Sequence, residues 1–240
     1  MTEIRNTLSY LSAGKSYLGT VLVPPDAVPK GAVVLLPDWR GPSPLAFDHA
    51  AHLTGLGYAV AIADLYGDGL TPTNPEQVGP MVQHLLQHRR DGAEALASCI
   101  EALRAEVPPG TPVFCLGFSA GGLVALDHGR SGGDVSGIIV CSALLKTAEE
   151  GMDTRIAAPV LVVQGTEDQV SPMEVINALI AEMDDAGNDV RLLLFCQTHH
   201  AFDNPEAGND PLARLCHSPV SAARSRAAIE AFLAEHTGSA

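Results

Sequence analysis

The chain has 240 residues, 46% of them hydrophobic, enough for one α/β domain with a full core. Lys and Arg total 14 against 28 Asp and Glu, and a formal charge of −14 repels phosphate backbones and anionic lipid, which argues against nucleic-acid and membrane-surface roles. No basic-plus-apolar leader opens the sequence, no apolar run is long enough to span a bilayer, and the five cysteines show no C-x-x-C spacing, so the expectation is a reduced, cytoplasmic protein.

Residues 4–23 alternate apolar and polar side chains around Ser12-Ala13-Gly14-Lys15, the pattern of an antiparallel hairpin at a sheet edge. Gly31–Leu36 is an unbroken apolar run, expected of a strand covered on both faces, and leads through a loop at 37–42 into a helix over Pro44–Leu56. Gly57–Ala63 is the next strand, and residues 70–80, rich in Pro, Thr and Gly, read as loop. Two helices follow near 81–90 and 91–105, then strands at 113–116, 136–141 and 159–163, a helix over 172–186 and a strand over 190–196. Residues 203–219 read as a long polar loop before a closing helix from Ala222 to His236. Strands alternating with helices imply a mostly parallel, doubly wound sheet with helices on both faces, in a single domain over 1–240. Ligand sites in such sheets lie beyond the carboxyl ends of the strands, which points to the loops after Leu36, Ala63, Leu116, Val163 and Cys196.

The strand Val113-Phe114-Cys115-Leu116 meets Gly117-Phe118-Ser119-Ala120-Gly121 and turns into a helical pattern. G-x-S-x-G between a strand and a helix places a serine on a tight, strained turn with its hydroxyl exposed above a helix N-terminus, where negative charge is favoured. A serine hydroxyl needs a base, itself oriented by a third group. The loop after Val163 offers Glu167 and Asp168, and the loop after Cys196 offers His199 and His200, giving the order Ser, acid, His. The remaining histidines lie on helix surfaces or far from strand ends; His84 and His88 are four apart, but position 85 is Leu, so the glutamate of H-E-x-x-H is missing. With no phosphate loop, dinucleotide fingerprint or metal cluster, neither a cofactor nor a metal is expected.

Five motifs in register carry a resemblance: Leu36-Pro37-Asp38-Trp39-Arg40-Gly41, Ala63-Asp64-Leu65-Tyr66-Gly67, the serine turn, Gly165-Thr166-Glu167-Asp168 and His199-His200-Ala201-Phe202. From about residue 30 onward the chain resembles the dienelactone hydrolase family of α/β-hydrolases. The resemblance implies Asp168 as the acid and His200 as the base, and sets Glu167 and His199 aside as supporting residues. It also implies an oxyanion hole from the N–H groups of Trp39 and Ala120. Asp38, Arg40, Tyr66, Phe118 and Phe202 are expected around the substrate.

The chain departs from the family's founding members in carrying Ser119 where they have Cys, and Asp38 where they have Glu. They bind a substrate carboxylate with arginines, one of them shortly after the histidine; here Phe202 is followed by Asp203-Asn204, and Arg40 is the one basic residue placed near the site. These departures favour a neutral ester or lactone over an anionic dienelactone. An acyltransferase or peptidase on the same triad, and a non-catalytic binding protein on this scaffold, are the alternatives; the oligomeric state stays open, with a homodimer among the options.

Overall fold

The computed structural model describes residues 4–25 and 27–238. β1 (Ile4–Ser12) and β2 (Lys15–Val23) form the expected hairpin. Its two turn residues, Ala13 and Gly14, both have positive φ (47° and 80°), the geometry whose twist matches that of the flanking strands. β3 (Gly31–Leu36), β4 (Tyr58–Ile62), β5 (Val113–Ser119), β6 (Gly137–Ala143), β7 (Val160–Gly165) and β8 (Val190–Phe195) complete an eight-stranded sheet in the order β1-β2-β4-β3-β5-β6-β7-β8. β1 and β2 run antiparallel at one edge, and every pairing from β4 to β8 is parallel.

Side chains alternate across the central strands, so each feeds two cores. On one face, Val34, Cys115, Val140 and Val162 pack with α3 (Arg89–Arg104), α4 (Ala120–Arg130) and α5 (Met173–Asp185). On the other, Val33, Phe114, Leu116, Phe118 and Val163 pack with α1 (Pro44–Gly55) and α6 (Pro219–His236). This is the α/β-hydrolase fold, wound on both faces as the sequence pattern implies.

Two helices start well before the sequence reading places them. The stretch 70–80 is not all loop: α2 spans Pro75–Gln87, because the Asn74 side chain accepts a hydrogen bond from Gln77 N (3.2 Å) and a proline stands in the first turn, where its missing N–H costs nothing. Likewise α6 begins at Pro219, three residues before the expected start, capped by the Ser218 hydroxyl. The long loop at 203–219 holds one short 3-10 turn, Pro205–Ala207. All five cysteines are free, with Cys196 exposed and the other four buried. Among the described residues, no helix is long and apolar enough to cross a membrane.

Helix α4 is buried along its whole length, and an ionic network holds its polar end. Asp127 accepts from Arg89 (2.7 and 2.6 Å) and from Arg130 (3.0 Å), while Arg130 also donates to Glu182 (2.6 Å) and to the Lys146 carbonyl (2.9 Å). Glu182 in turn accepts from Ala148 N (2.6 Å), so the network ties the connection after β6 to three helices. Removing its centre takes the carboxylate from buried Arg89 and one of two carboxylates from buried Arg130. Asp127→Ala should therefore lower unfolding free energy by about 3–5 kcal/mol in urea denaturation, whereas Glu101→Ala, whose pair with Arg104 is exposed, should cost under about 1 kcal/mol.

Candidate active site

Ser119 ends β5 and stands at the start of α4 with φ 48° and ψ −116°, a conformation that a non-glycine residue holds only at a cost of about 1–3 kcal/mol. Its neighbours explain how the turn closes. A Cβ on Gly117 would lie 2.6 Å from the Gly121 carbonyl oxygen, and one on Gly121 would overlap the Leu36 carbonyl and lie 2.5 Å from that of Pro37. Only glycine at these positions lets α4 pack directly onto β5 and onto the loop leaving β3. At the same point β6 shifts register against β5, and Leu144 N donates to the Ser119 carbonyl (2.8 Å).

The carboxyl ends of β7 and β8 bring the other two groups to this hydroxyl. Ser119 Oγ donates to His200 Nε2 (3.0 Å), and His200 Nδ1 donates to Asp168 Oδ2 (2.8 Å), the tautomer that an ionised carboxylate dictates. His200 is 4% exposed and Asp168 2%. Asp168 is held by three further donors: Val170 N (2.7 Å) and Ser171 N (2.9 Å) on Oδ1, and Gln164 Nε2 (3.0 Å) on Oδ2. Glu167 points outward, and His199 is half-buried beside the site.

Gln164 and Ser142 are residues that the sequence reading passed over. The β6–β7 ladder ends at Cys141↔Val163, and beyond it the Gln164 amide takes over, accepting from Ala143 N (2.8 Å) and donating to Ala143 O (3.1 Å) while reaching Asp168. Ser142, buried with φ 47°, accepts from Ala201 N (2.7 Å) and so fixes the backbone next to His200. A polar side chain at the closed end of an apolar strand is the signal that marks Gln164; nothing in the sequence marks Ser142.

The expected substrate residues divide. Trp39 is half-buried in the loop after β3. Asp38 grips Arg40: Arg40 Nε donates to both carboxylate oxygens (3.1 Å each), Nη2 to Oδ2 (2.7 Å) and the backbone N to Oδ1 (2.9 Å), while Nη1 bridges to Glu206 (2.6 Å). Burial works against the Arg40 charge, but the hydrogen bonds and charges of Asp38, with Glu206 and Asp203, outweigh it and raise its pKa.

Three aromatic residues do not form the rim expected of them. Phe202 is 0% exposed and packs edge-on against Phe195 in the core. Phe118 is buried on the α1/α6 face, stacked on His49 at 4.5 Å, because the alternation of β5 turns residue 118 to the side opposite Gly117. Tyr66 is 7% exposed and lies under the β3 loop, its hydroxyl bonded to the Trp39 carbonyl (2.8 Å). The His84 and His88 rings lie 4.1 Å apart, and among the described residues no group of three or more His, Cys, Asp or Glu side chains is gathered to hold a metal. A cleft of about 630 Å³ between β1, α3 and the end of α4 is lined by none of these site residues.

A sheet of this order, with a serine at the strand-to-helix turn and an acid and a histidine on later strand ends, defines an α/β-hydrolase. Comparison with known proteins narrows the class: the model of the dienelactone hydrolase family matches residues 18–235, and the chain belongs to that family of hydrolases. Among solved structures, m3DLH is 28% identical, with a TM-score of 0.91 over 98% of this chain and 99% of that one. A dienelactone hydrolase-like promiscuous phosphotriesterase from metagenomic libraries is 24% identical, with a TM-score of 0.91 over 98% and 99% of the two chains. Dienelactone hydrolase from Anabaena variabilis is 20% identical, with a TM-score of 0.68 over 97% and 98%. Below 25% identity the likeness speaks for the fold alone. No curated protein matches the chain.

The glycine contacts give a test of the turn. Gly121→Ala must displace the Leu36 and Pro37 carbonyls and should destabilise the protein by about 3 kcal/mol or more. Gly79→Ala, inside α2 with nothing within 4 Å of the added carbon, should instead stabilise by roughly 0.5–1 kcal/mol. Thermal and urea unfolding of the two variants measure the contrast.

Proposed function

We propose that the chain is a serine hydrolase of carboxylic esters or lactones, with Ser119 as nucleophile, His200 as base and Asp168 as the orienting acid. The observation that carries this reading is the unbroken hydrogen-bond path Ser119–His200–Asp168 at 3.0 and 2.8 Å, on a turn strained as a nucleophile turn must be. His200 takes the Ser119 proton as Oγ attacks the carbonyl, and the imidazolium that forms faces an ionised Asp168 held by three other donors. The oxyanion is received by the N–H of Ala120, at the first residue of α4, and by the N–H of Trp39; such donors contribute about 3 kcal/mol each in the transition state. His200 then returns the proton to the departing alcohol, and water, activated by the same base, resolves the acyl-enzyme.

The substrate in this reading is a neutral ester or lactone. Arg40 is the cation expected to clamp a substrate carboxylate, and its guanidinium is already taken up by Asp38 and Glu206. With Asp203 nearby, three carboxylates and one committed guanidinium leave a negative field that an anionic substrate must enter without a bidentate partner.

Two sets of variants test the assignment. His200→Ala and Asp168→Asn should each lower kcat by about 10³–10⁴ on a short-chain p-nitrophenyl ester, assayed without added metal, since a missing base or wrong tautomer costs on that order. His199→Ala and Glu167→Gln should retain most of the activity. Equal losses within either neighbouring pair contradict the roles given.

The charge reading has its own test. A methyl ester should exceed its free-carboxylate analogue by at least about tenfold in kcat/KM, roughly 1.4 kcal/mol. Arg40→Ala should not reverse that order. If the anionic ester is preferred, and Arg40→Ala abolishes the preference, the substrate is an anionic lactone of the dienelactone kind.

A further inference from the structure

We propose that Tyr66 is a positioning residue of the oxyanion hole: its hydroxyl, bonded to the Trp39 carbonyl, sets the direction in which the Trp39 N–H points. The inference rests on the oxyanion role of Trp39 given above.

A peptide plane lies on either side of the Trp39 Cα, and each is held. The plane between Asp38 and Trp39 is held at the Asp38 carbonyl, which accepts from Gly41 N (3.0 Å). The plane between Trp39 and Arg40 is held twice, at Arg40 N by Asp38 Oδ1 (2.9 Å) and at the Trp39 carbonyl by the Tyr66 hydroxyl (2.8 Å). Two of these holds are internal to the turn and move with it. Tyr66 is the one that comes from outside, from the turn after β4, and it anchors the loop to the sheet. Among the described residues the Trp39 N–H has no acceptor, as a donor kept for a ligand must be.

The anchor is itself clamped. Asp64, buried at the end of β4, accepts from Tyr66 N (3.0 Å), Gly67 N (2.9 Å), Gly69 N (2.9 Å) and Leu18 N (3.0 Å). Lys15 Nζ, from the hairpin turn, donates to the Tyr66 carbonyl (2.6 Å), and the Tyr10 hydroxyl meets the Asp64 backbone from below (3.1 Å). The β1–β2 hairpin, remote from the chemistry in sequence, thereby braces the turn that braces the oxyanion loop. Burial, with the charge of Asp38 adding to it, raises the Tyr66 pKa, so the phenol stays a donor across the working range. A preorganised donor must not swing as charge develops on the substrate oxygen, and a carbonyl fixed on the same residue prevents the swing.

Tyr66→Phe removes the hydroxyl and leaves the ring that fills the space. Outright loss of an oxyanion donor costs about 10²–10³ in kcat, so a donor left in place but unfixed should cost about tenfold or more. The expected result, per site counted by fluorophosphonate titration, is that fall in kcat with KM within about twofold. Affinity for a boronic-acid transition-state analogue should fall in parallel, and affinity for the alcohol product should be unchanged. A purely structural tyrosine would lower the unfolding temperature and the number of titratable sites but leave kcat per site and boronate affinity alone, and that outcome overturns the proposal. Should Tyr66→Phe yield too few folded sites, Lys15→Met, which releases the Tyr66 carbonyl and removes the charge over the Tyr17 ring, should show a smaller fall of the same kind; unchanged kcat and boronate affinity in that variant also overturn it. Failure of the serine-hydrolase reading is distinct, since wild type would then neither hydrolyse the ester nor titrate.

Discussion

The close approach of Gly121 to the Leu36 and Pro37 carbonyls is the contact on which the site depends. It joins two segments that are far apart in sequence: the turn that carries Ser119 and the loop that carries Trp39. A side chain at 121 would push them apart, and with them the two N–H groups proposed to receive the oxyanion. The strain at Ser119 follows from the same constraint, because a helix packed that tightly on β5 leaves no room for a relaxed turn.

Opposite this contact, the sheet comes apart in a controlled way. The β6–β7 ladder stops at Cys141↔Val163, and the polar backbone it abandons at Ala143 is taken up by side chains, Gln164 on both groups and the Ser171 hydroxyl on the carbonyl (2.9 Å). The gap so made is where Asp168 sits, with four donors on its two oxygens. Buried polar networks of this kind fix one arrangement when every member is satisfied, and here the acid, the amide and the Ala143 peptide all are. Ser142 extends the same logic to the histidine loop through Ala201 N.

Most of the fold was legible because buried parallel strands read as apolar runs bounded by glycine and proline, as at Gly31–Leu36 and Val113–Leu116. The rule that sites lie beyond strand carboxyl ends places Ser119, Asp168 and His200 in the same neighbourhood from the sequence alone. Spacing could not separate Glu167 from Asp168 or His199 from His200, since neighbours on a loop face different ways for reasons of tertiary packing. The aromatic residues misled for a physical reason. Adjacency in sequence to a site residue says little about which side of the sheet a ring takes, and Phe118 follows the alternation Phe114, Leu116, Phe118 into the α1/α6 core. The start of α2 was hidden because Pro75 and Gly79 look like breakers, when the first is placed where a helix accepts proline.

In the proposed reaction Ser119 Oγ is the atom that becomes acylated. Reaction with a fluorophosphonate probe, followed by peptide mapping of the adduct by mass spectrometry, tests it directly. The expected result is one equivalent of label on the peptide containing Ser119, absent from Ser119→Ala and from wild type pre-treated with a slow carbamate ester. Label on another residue, or ester hydrolysis that persists in Ser119→Ala at the wild-type rate, would contradict it.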